Sequence, residues 1–143
     1  MKVYLASRYD LKPFMTEYAE ELKSFGISVT ASWLNEPHKP ESTMADIGEV
    51  AITRYAEADI RDIFESDVMV FFSEDPLTPV VRGGRHVEFG YALGLRMPII
   101  VVGPRENIFH YLSGVTHCET WYAAKKSLLE IRREYNAVQS EVR

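Results

Sequence analysis

Apolar residues along the chain form short runs that alternate with longer segments in which they recur every three or four residues. The continuous run DVMVFF is typical of a parallel strand that is buried on both faces. Five runs of this kind predict strands, at residues 2–6, 27–31, 67–72 and 97–103 and, more weakly, near residues 117–120.

The segments between these strands have the periodicity of amphipathic helices. In the first, Asp10 is predicted to cap the helix and Gly26 to end it. The apolar residues of this helix recur at helical spacing: Leu11, Phe14, Met15, Tyr18, Leu22 and Phe25. Three further helices are predicted, over residues 43–66, around Glu88 and over residues 121–138, with loops at residues 32–42 and 73–84.

The alternation of strands and helices predicts the fold class. It favours an α/β protein with one doubly wound, flavodoxin-like layer of about five parallel strands and helices on both faces. No repeat or linker interrupts the pattern, so residues 1–143 are expected to form one domain. Ligands of such sheets bind beyond the carboxyl ends of the strands, which here are residues 6–9, 73–75 and 103–106.

Composition and charge narrow the choice of ligand. The chain has 143 residues, of which 46% are hydrophobic, and its 16 basic and 21 acidic residues give a net charge of -5. An acidic chain lacks the field that attracts polymeric nucleic acid or anionic membranes, so a small molecule is the expected partner. No run approaches the roughly 20 apolar residues of a membrane helix.

The single cysteine, Cys118, limits the chemistry further. One cysteine forms no disulfide within the chain and no Cys-rich metal site, and the expected compartment is the reducing cytoplasm. The sequence HVE at residues 86–88 matches half of a zinc deaminase motif, but the required P-C-x-x-C partner is missing. Neither a metal nor another cofactor is predicted.

Glu88 is the first candidate for chemistry. It lies in the segment GGRHVEFGYALG, in the first turns of a predicted helix, where the helix dipole favours an ionised carboxylate. Gly83 and Gly84 remove side chains where the chain enters the helix, and Gly90 and Gly94 would let the helix approach a strand closely. The alternative is an ordinary exposed glutamate on a helix surface.

Asp59 is the second candidate. It falls within an apolar stripe of the preceding helix, formed by Ile52, Ala56, Ile60 and Ile63, whereas Asp62 is expected on the opposite, solvated face. A buried aspartate needs a partner, a polar cavity or a raised pKa. Hydrogen bonds from backbone donors are the alternative to a catalytic role. Two carboxyl groups, one ionised and one able to hold a proton, suit the cleavage of a glycosidic bond.

Several parts of the sequence together resemble the nucleoside 2-deoxyribosyltransferase superfamily, which includes 2'-deoxynucleoside 5'-phosphate N-hydrolases and CMP hydrolases. They are the opening strand with VYLA, an Asp eight residues before Asp67, and a G-x-x-x-E-x-G-x-A helix at residues 84–92. The resemblance covers nearly the whole chain. It implies that Glu88 is the nucleophile, that Tyr4 orients Glu88, and that Asp59 acts near the leaving base.

The chain departs from the family at the sugar-binding position. Deoxyribosyltransferases of free nucleosides carry an Asp six residues before the nucleophile, where this chain has Arg82. A basic, glycine-containing cradle for a 5'-phosphate is predicted instead, from Ser7, Arg8, Arg82, Gly83, Gly84 and Arg85. A solvated basic loop is the alternative.

The resemblance also implies a homodimer or a higher homo-oligomer, because in the family a loop of a neighbouring subunit completes the site. The matching region is RENIFHYLSG, and it supplies Asn107, His110 and Tyr111 as candidate substrate-binding residues. Faces on which a base could stack are expected from Tyr9, Trp33 and Phe72.

The predicted function is cleavage or transfer of the N-glycosidic bond of a (2'-deoxy)nucleoside or nucleotide. A deoxyribosyltransferase-like activity is favoured, and hydrolysis of a nucleoside 5'-monophosphate is the close alternative. A non-catalytic nucleotide-binding module is the competing hypothesis, because the same fold hosts many functions.

Overall fold

The computed structural model describes residues 1–39, 41–77 and 83–142. Its sheet has five parallel strands in the order β2-β1-β3-β4-β5, which confirms the predicted doubly wound α/β layer. The strands are β1 (Lys2–Ala6), β2 (Ser28–Val29), β3 (Val68–Phe72), β4 (Ile99–Val102) and β5 (Val115–Cys118).

The core lies on both faces of the central strands. All five residues of β3 and all four of β4 are buried, as continuous apolar runs in a parallel sheet require. The fifth strand begins two residues earlier than the sequence predicts. The second strand is limited to two residues at the edge of the sheet.

The helices are α1 (Lys12–Ser24), α2 (Met44–Ile47), α3 (Glu49–Phe64), α4 (Gly84–Gly94) and α5 (Trp121–Val142). Asp10 does not cap α1, because it lies in a short 3-10 turn and pairs with Arg8 instead. Gly26 does follow the end of α1, with a φ of 77° that favours glycine. None of the helices in the described ranges has the length and apolar character needed to span a membrane.

The helix predicted over residues 43–66 is two helices. Gly48 ends α2 with φ 91° and ψ 147°, and α3 starts immediately after it. Thr43 begins α2 with a capping box, in which its hydroxyl accepts from the Asp46 N–H and the Asp46 carboxylate accepts from the Thr43 N–H. This break sets the rotation of α3 independently of the residues before it.

The buried face of α3 differs from the predicted stripe. Ala56 and Ile60 are exposed, whereas Asp62 is only 9% exposed and Ile63 is fully buried. The prediction of a solvated Asp62 is therefore wrong. Asp62 faces inward because its carboxylate accepts two hydrogen bonds from Ser32, which outweigh the hydrophobicity of Ile60 in setting the rotation. Asp59, three residues before it, is half-buried.

The glycines of α4 do not all have the role expected from the sequence. Gly83 precedes the helix in the left-handed conformation, with φ 83°, as a tight entry requires. A Cβ atom at Gly90 or Gly94 would meet open space, so the expected close approach to a strand does not occur at these positions.

Candidate active site

Tyr4 and Glu88 form the centre of a polar site at one end of the sheet. Tyr4 is fully buried in β1, and its hydroxyl donates a hydrogen bond to Oε2 of Glu88 on α4. The helix packs against both β1 and β3, which are neighbours in the sheet. A residue of the first strand is thus joined to a residue 84 positions later, and one oxygen of Glu88 is held in place.

Glu88 is not fully ionised at neutral pH. Burial raises the pKa of Glu88 to about 7, opposed by the Tyr4 hydrogen bond and reinforced by the charge of Glu36. The loss of hydration therefore acts against the ionised state that the helix dipole favours.

Asp59 holds a proton at neutral pH. Burial and the charges of Glu88, Glu36 and Asp62 raise the pKa of Asp59 to about 8. Its Oδ1 atom is buried without a hydrogen-bond partner among the described residues, so the alternative of backbone donors to this atom is not supported there. A protonated carboxyl group beside a partly ionised one is the arrangement that acid-assisted glycosidic cleavage requires.

Asp62 holds α3 in place near this part of the site. Its Oδ2 atom accepts hydrogen bonds from the backbone N–H of Ser32, at 2.9 Å, and from the Ser32 hydroxyl. These bonds tie α3 to the 3-10 helix Ser32–Asn35, which follows β2. Asp62 is therefore anchored, whereas the buried Oδ1 atom of Asp59 has no hydrogen-bond partner among the described residues.

Glu36 is a further acidic residue of the site that the sequence analysis missed. Its side chain is only 10% exposed, and its backbone oxygen accepts from Lys12 and from the Tyr9 hydroxyl. Burial raises the pKa of Glu36 to about 7, although the charge of Lys12 opposes this rise. Its position shortly after β2, at the same end of the sheet as the other acidic residues, is the sequence signal that could have identified it.

The aromatic residues expected to stack on a base are covered within the chain. Trp33 is buried and donates its indole N–H to the Leu5 oxygen at 2.9 Å, and Phe72 stacks on Tyr18 with ring centroids 5.7 Å apart. The ring of Tyr9 stacks on His38 at 4.3 Å. Trp33 and Phe72 are therefore core residues and do not offer open faces.

The residues predicted to bind a phosphate are only partly described. Arg82 lies outside the described residues. Arg85 is 4% exposed, and its guanidinium group donates to both carboxylate oxygens of Glu106. Arg8 pairs with Asp10 and, at 3.3 Å, with Glu74.

The other residues of the predicted phosphate site make contacts or turns within their own segments of the chain. The Ser7 hydroxyl donates to the Arg8 oxygen at 3.0 Å. Gly83 and Gly84 form the entry to α4. Both arginines described in the predicted cradle are thus neutralised by carboxylates of the same chain, and the pairing partners could not be read from local spacing.

Among the described residues, no hydrogen bond joins the segment after β4 to Tyr4 or Glu88, although the His110 ring lies 4.9 Å from that of Phe89. Asn107 accepts a hydrogen bond from the Phe109 N–H and caps a short 3-10 helix, and Tyr111 is exposed beneath Arg105. His110 is fully buried, and its Nδ1 atom accepts from the Glu106 N–H at 3.1 Å. Within one chain these side chains stabilise the loop.

Fold and site define a class of protein: a single-sheet α/β domain with a carboxylate site at the strand ends. Solved structures share this fold. The chain is similar to the CMP N-glycosidase BcmB from Clostridium botulinum, with a TM-score of 0.56, 19% identity, and coverage of 82% of this chain and 88% of that chain.

The second structure is a 2-deoxyribosyltransferase from Bacillus psychrosaccharolyticus. The TM-score is 0.63 at 18% identity, over 87% of this chain and 90% of that chain. No protein-family model and no curated protein sequence matches the chain. At such identities the likeness establishes the fold, and it agrees with the resemblance drawn from the sequence.

Among the described residues, no group of three His, Cys, Asp or Glu side chains is arranged to hold a metal ion. The arrangement is suited to proton transfer and to attack by a carboxylate.

Proposed function

We propose that this chain cleaves or transfers the N-glycosidic bond of a (2'-deoxy)nucleoside or nucleotide, with Glu88 as the nucleophile. The observation that carries the proposal is the hydrogen bond from Tyr4 to Glu88 on α4, against which the helix of Asp59 packs. The raised pKa of Asp59, about 8, supports it. The two structures of the same fold support this class of bond, since one is a CMP N-glycosidase and the other a 2-deoxyribosyltransferase.

In the first step, an oxygen of ionised Glu88 bonds to the anomeric carbon as the bond from that carbon to the base nitrogen breaks. The proton of Asp59 passes to the departing base, so the base leaves without a negative charge. Tyr4 donates to the other oxygen of Glu88 and orients the carboxylate for attack. The product of this step is a glycosyl-enzyme ester and a free base.

In the second step, an acceptor attacks the anomeric carbon and releases Glu88. A second base yields a new nucleoside, and water yields the free sugar. In both cases the proton lost by the acceptor returns to Asp59. A deoxyribosyltransferase-like reaction is our first choice, and hydrolysis is the alternative.

The pH dependence of base release follows from these two carboxyl groups. The reaction requires Glu88 without its proton and Asp59 with its proton, and their pKa values are about 7 and about 8. Activity should therefore rise as the pH increases through 7 and fall as it increases through 8. We expect a narrow bell-shaped profile of kcat/KM, measured by chromatography of the released base between pH 5 and 10.

Two variants test which carboxyl group causes the acid side and which the alkaline side of this pH profile. Tyr4→Phe removes a hydrogen bond that lowers the pKa of Glu88, so its acid limb should move to higher pH. Asp59→Asn removes the group that must hold a proton, so its alkaline limb should disappear along with most of the activity. Profiles of both variants that superimpose on that of the wild type would contradict the assignment.

A screen for base release tests the function itself. Deoxynucleosides, ribonucleosides and their 5'-monophosphates are incubated with the protein, each with and without a second free base. We expect base release from at least one substrate, and a new nucleoside when the second base is present. Tight binding without release of base would favour the non-catalytic module instead.

We also propose that the active form is a homo-oligomer. Four apolar side chains of the loop after β4 are exposed in the single chain: Ile108, Phe109, Tyr111 and Leu112. A contiguous exposed apolar surface favours association. A fully active monomer at micromolar concentration, measured by light scattering, would count against a shared site.

A further inference from the structure

The carboxylate of Glu106 accepts hydrogen bonds from the same kinds of donor that bind anions in proteins. Its Oε1 atom accepts from the Glu74 N–H at 2.6 Å and from Arg85, and its Oε2 atom accepts from Arg85 at 2.8 Å. The Nε2 atom of His86 lies 3.3 Å from Oε2. We call the Glu74 N–H, Arg85 and His86 the anion cradle.

The donors of this cradle are those that bind phosphate groups in proteins. A guanidinium fork and a backbone N–H group are shared by carboxylate and phosphate recognition. Burial alone would raise the pKa of Glu106, but hydrogen bonds from Arg85 and the Glu74 N–H hold it below its ordinary value. The cradle is therefore filled by an ionised carboxylate that belongs to the chain itself.

The cradle is built into the fold and is not a surface pair. Arg85 is 4% exposed and the Glu106 side chain 10% exposed, and the Arg85 guanidinium lies 5.3 Å from the centre of the Phe71 ring. Glu74 follows β3, Glu106 follows β4, and Arg85 precedes Glu88 by three residues on α4. The cradle thus lies at the strand ends, on the helix that carries the proposed nucleophile.

Among the described residues, the paired charges around the anion cradle disfavour a second anion. Arg8 and Arg85 pair with three carboxylates of the described chain, those of Asp10, Glu74 and Glu106. A phosphate monoester carries about 1.5 to 2 negative charges at pH 7. To bind there it would have to displace Glu106 or lie beside it, and both cost electrostatic free energy.

We propose that Glu106 occupies the anion cradle in place of a substrate phosphate, and that this chain acts on nucleosides with an uncharged 5'-hydroxyl in preference to nucleoside 5'-monophosphates. The preference for nucleosides rests on the proposed function. The occupancy of the anion cradle by Glu106 is independent of that function, because it can be tested by the binding of an anion without any reaction. Glu106 is then a specificity-determining residue, and Arg85 is held away from the substrate instead of binding its phosphate.

Substrate preference in the wild-type protein is the first test. The kcat/KM for base release is measured for a deoxynucleoside and for its 5'-monophosphate at constant ionic strength. We expect the nucleoside to be preferred by about 10- to 100-fold, which corresponds to the loss of about one hydrogen bond to a charged group. A monophosphate used equally well or better would overturn the substrate assignment.

Inorganic phosphate is the probe for the cradle itself. Glu106→Gln keeps the shape of the side chain but removes its charge, so phosphate should raise the melting temperature of this variant and weaken its preference against the monophosphate. The wild type should not respond. Glu119→Gln is the matched control, because Glu119 is exposed just after β5 and the same charge is removed there.

The outcomes separate the two proposals. If no substrate releases its base, the proposed function fails, and the response to phosphate still decides whether Glu106 fills an anion cradle. A response that is equal in the wild type and in Glu106→Gln, or absent from both, overturns the cradle. If Glu106→Gln does not fold, Glu106→Ala replaces it in the same measurement: a response to phosphate that the wild type lacks supports the cradle, and the absence of such a response overturns it.

Discussion

Replacing Glu88 with glutamine is expected to reduce base release by several orders of magnitude while the protein remains folded. The variant keeps an acceptor oxygen for the Tyr4 hydroxyl but loses the carboxylate that forms the glycosyl ester. Loss of a catalytic nucleophile has reduced kcat by up to roughly 10⁶-fold in a well-studied protease. Chromatography of the released base over hours to days measures an effect of this size.

A covalent adduct provides the direct evidence for the same residue. After brief exposure to substrate and denaturation, the mass of the wild-type protein should increase by one glycosyl group, and that of Glu88→Gln should not. Glu57→Gln is the control, since Glu57 is an exposed glutamate on α3. Wild-type rates of base release in folded Glu88→Gln would refute Glu88 as the nucleophile.

Removal of the Arg85 side chain is the second change with a large expected effect. Arg85→Met leaves the Glu106 carboxylate buried without its guanidinium partner. Breaking a buried ion pair on one side costs about 3–5 kcal/mol, so the free energy of unfolding should fall by that amount. Urea unfolding at pH 7 measures it, and the melting temperature should fall by about 6–20 °C.

A matched exposed pair provides the control for this prediction. Lys125 and Glu21 form an ion pair with side chains that are 19% and 34% exposed. Lys125→Met should cost no more than about 1 kcal/mol, because water screens a pair near the surface. If Arg85→Met costs no more than Lys125→Met, then Arg85 and Glu106 do not form the tight buried pair on which the anion cradle depends.

Burial of the carboxyl groups links the stability of the fold to its proposed chemistry. The pKa values of Glu36, Asp59 and Glu88 are all raised, because each carboxyl group is largely removed from water. The folded state therefore binds these protons more tightly than the unfolded chain does, and this contribution to stability is lost as the pH rises toward 8. A loss of stability of this kind is common where a protein maintains groups for catalysis.

The sheet and three residues of the site could be predicted from the sequence because their signals are local. A run such as DVMVFF identifies a buried strand without knowledge of its neighbours. Glu88, Asp59 and Tyr4 were identified by motif and spacing, and the structure brings Tyr4 and Glu88 into contact. Their roles in catalysis remain a proposal that the experiments above test.

The rotation of α3 was decided only by the tertiary structure. The apolar spacing of Ile52, Ala56 and Ile60 favoured one face, but Gly48 separates α3 from α2, and Asp62 is drawn inward by Ser32. Two hydrogen bonds from a loop 30 residues away outweigh the burial of one isoleucine, whose side chain stays 38% exposed. No periodicity within the helix contains that information.

The electrostatic partners of the site were also set by the tertiary structure. Arg85 was expected to bind a phosphate because it stands beside two glycines, yet its guanidinium pairs with Glu106, 21 residues further along the chain. Glu36 affects the pKa of Glu88 from a loop 52 residues before it. The sequence by itself determined which residue types were present at the strand ends. Which charges meet there depended on parallel strand pairing, because that pairing brings separate loops to one edge of the sheet.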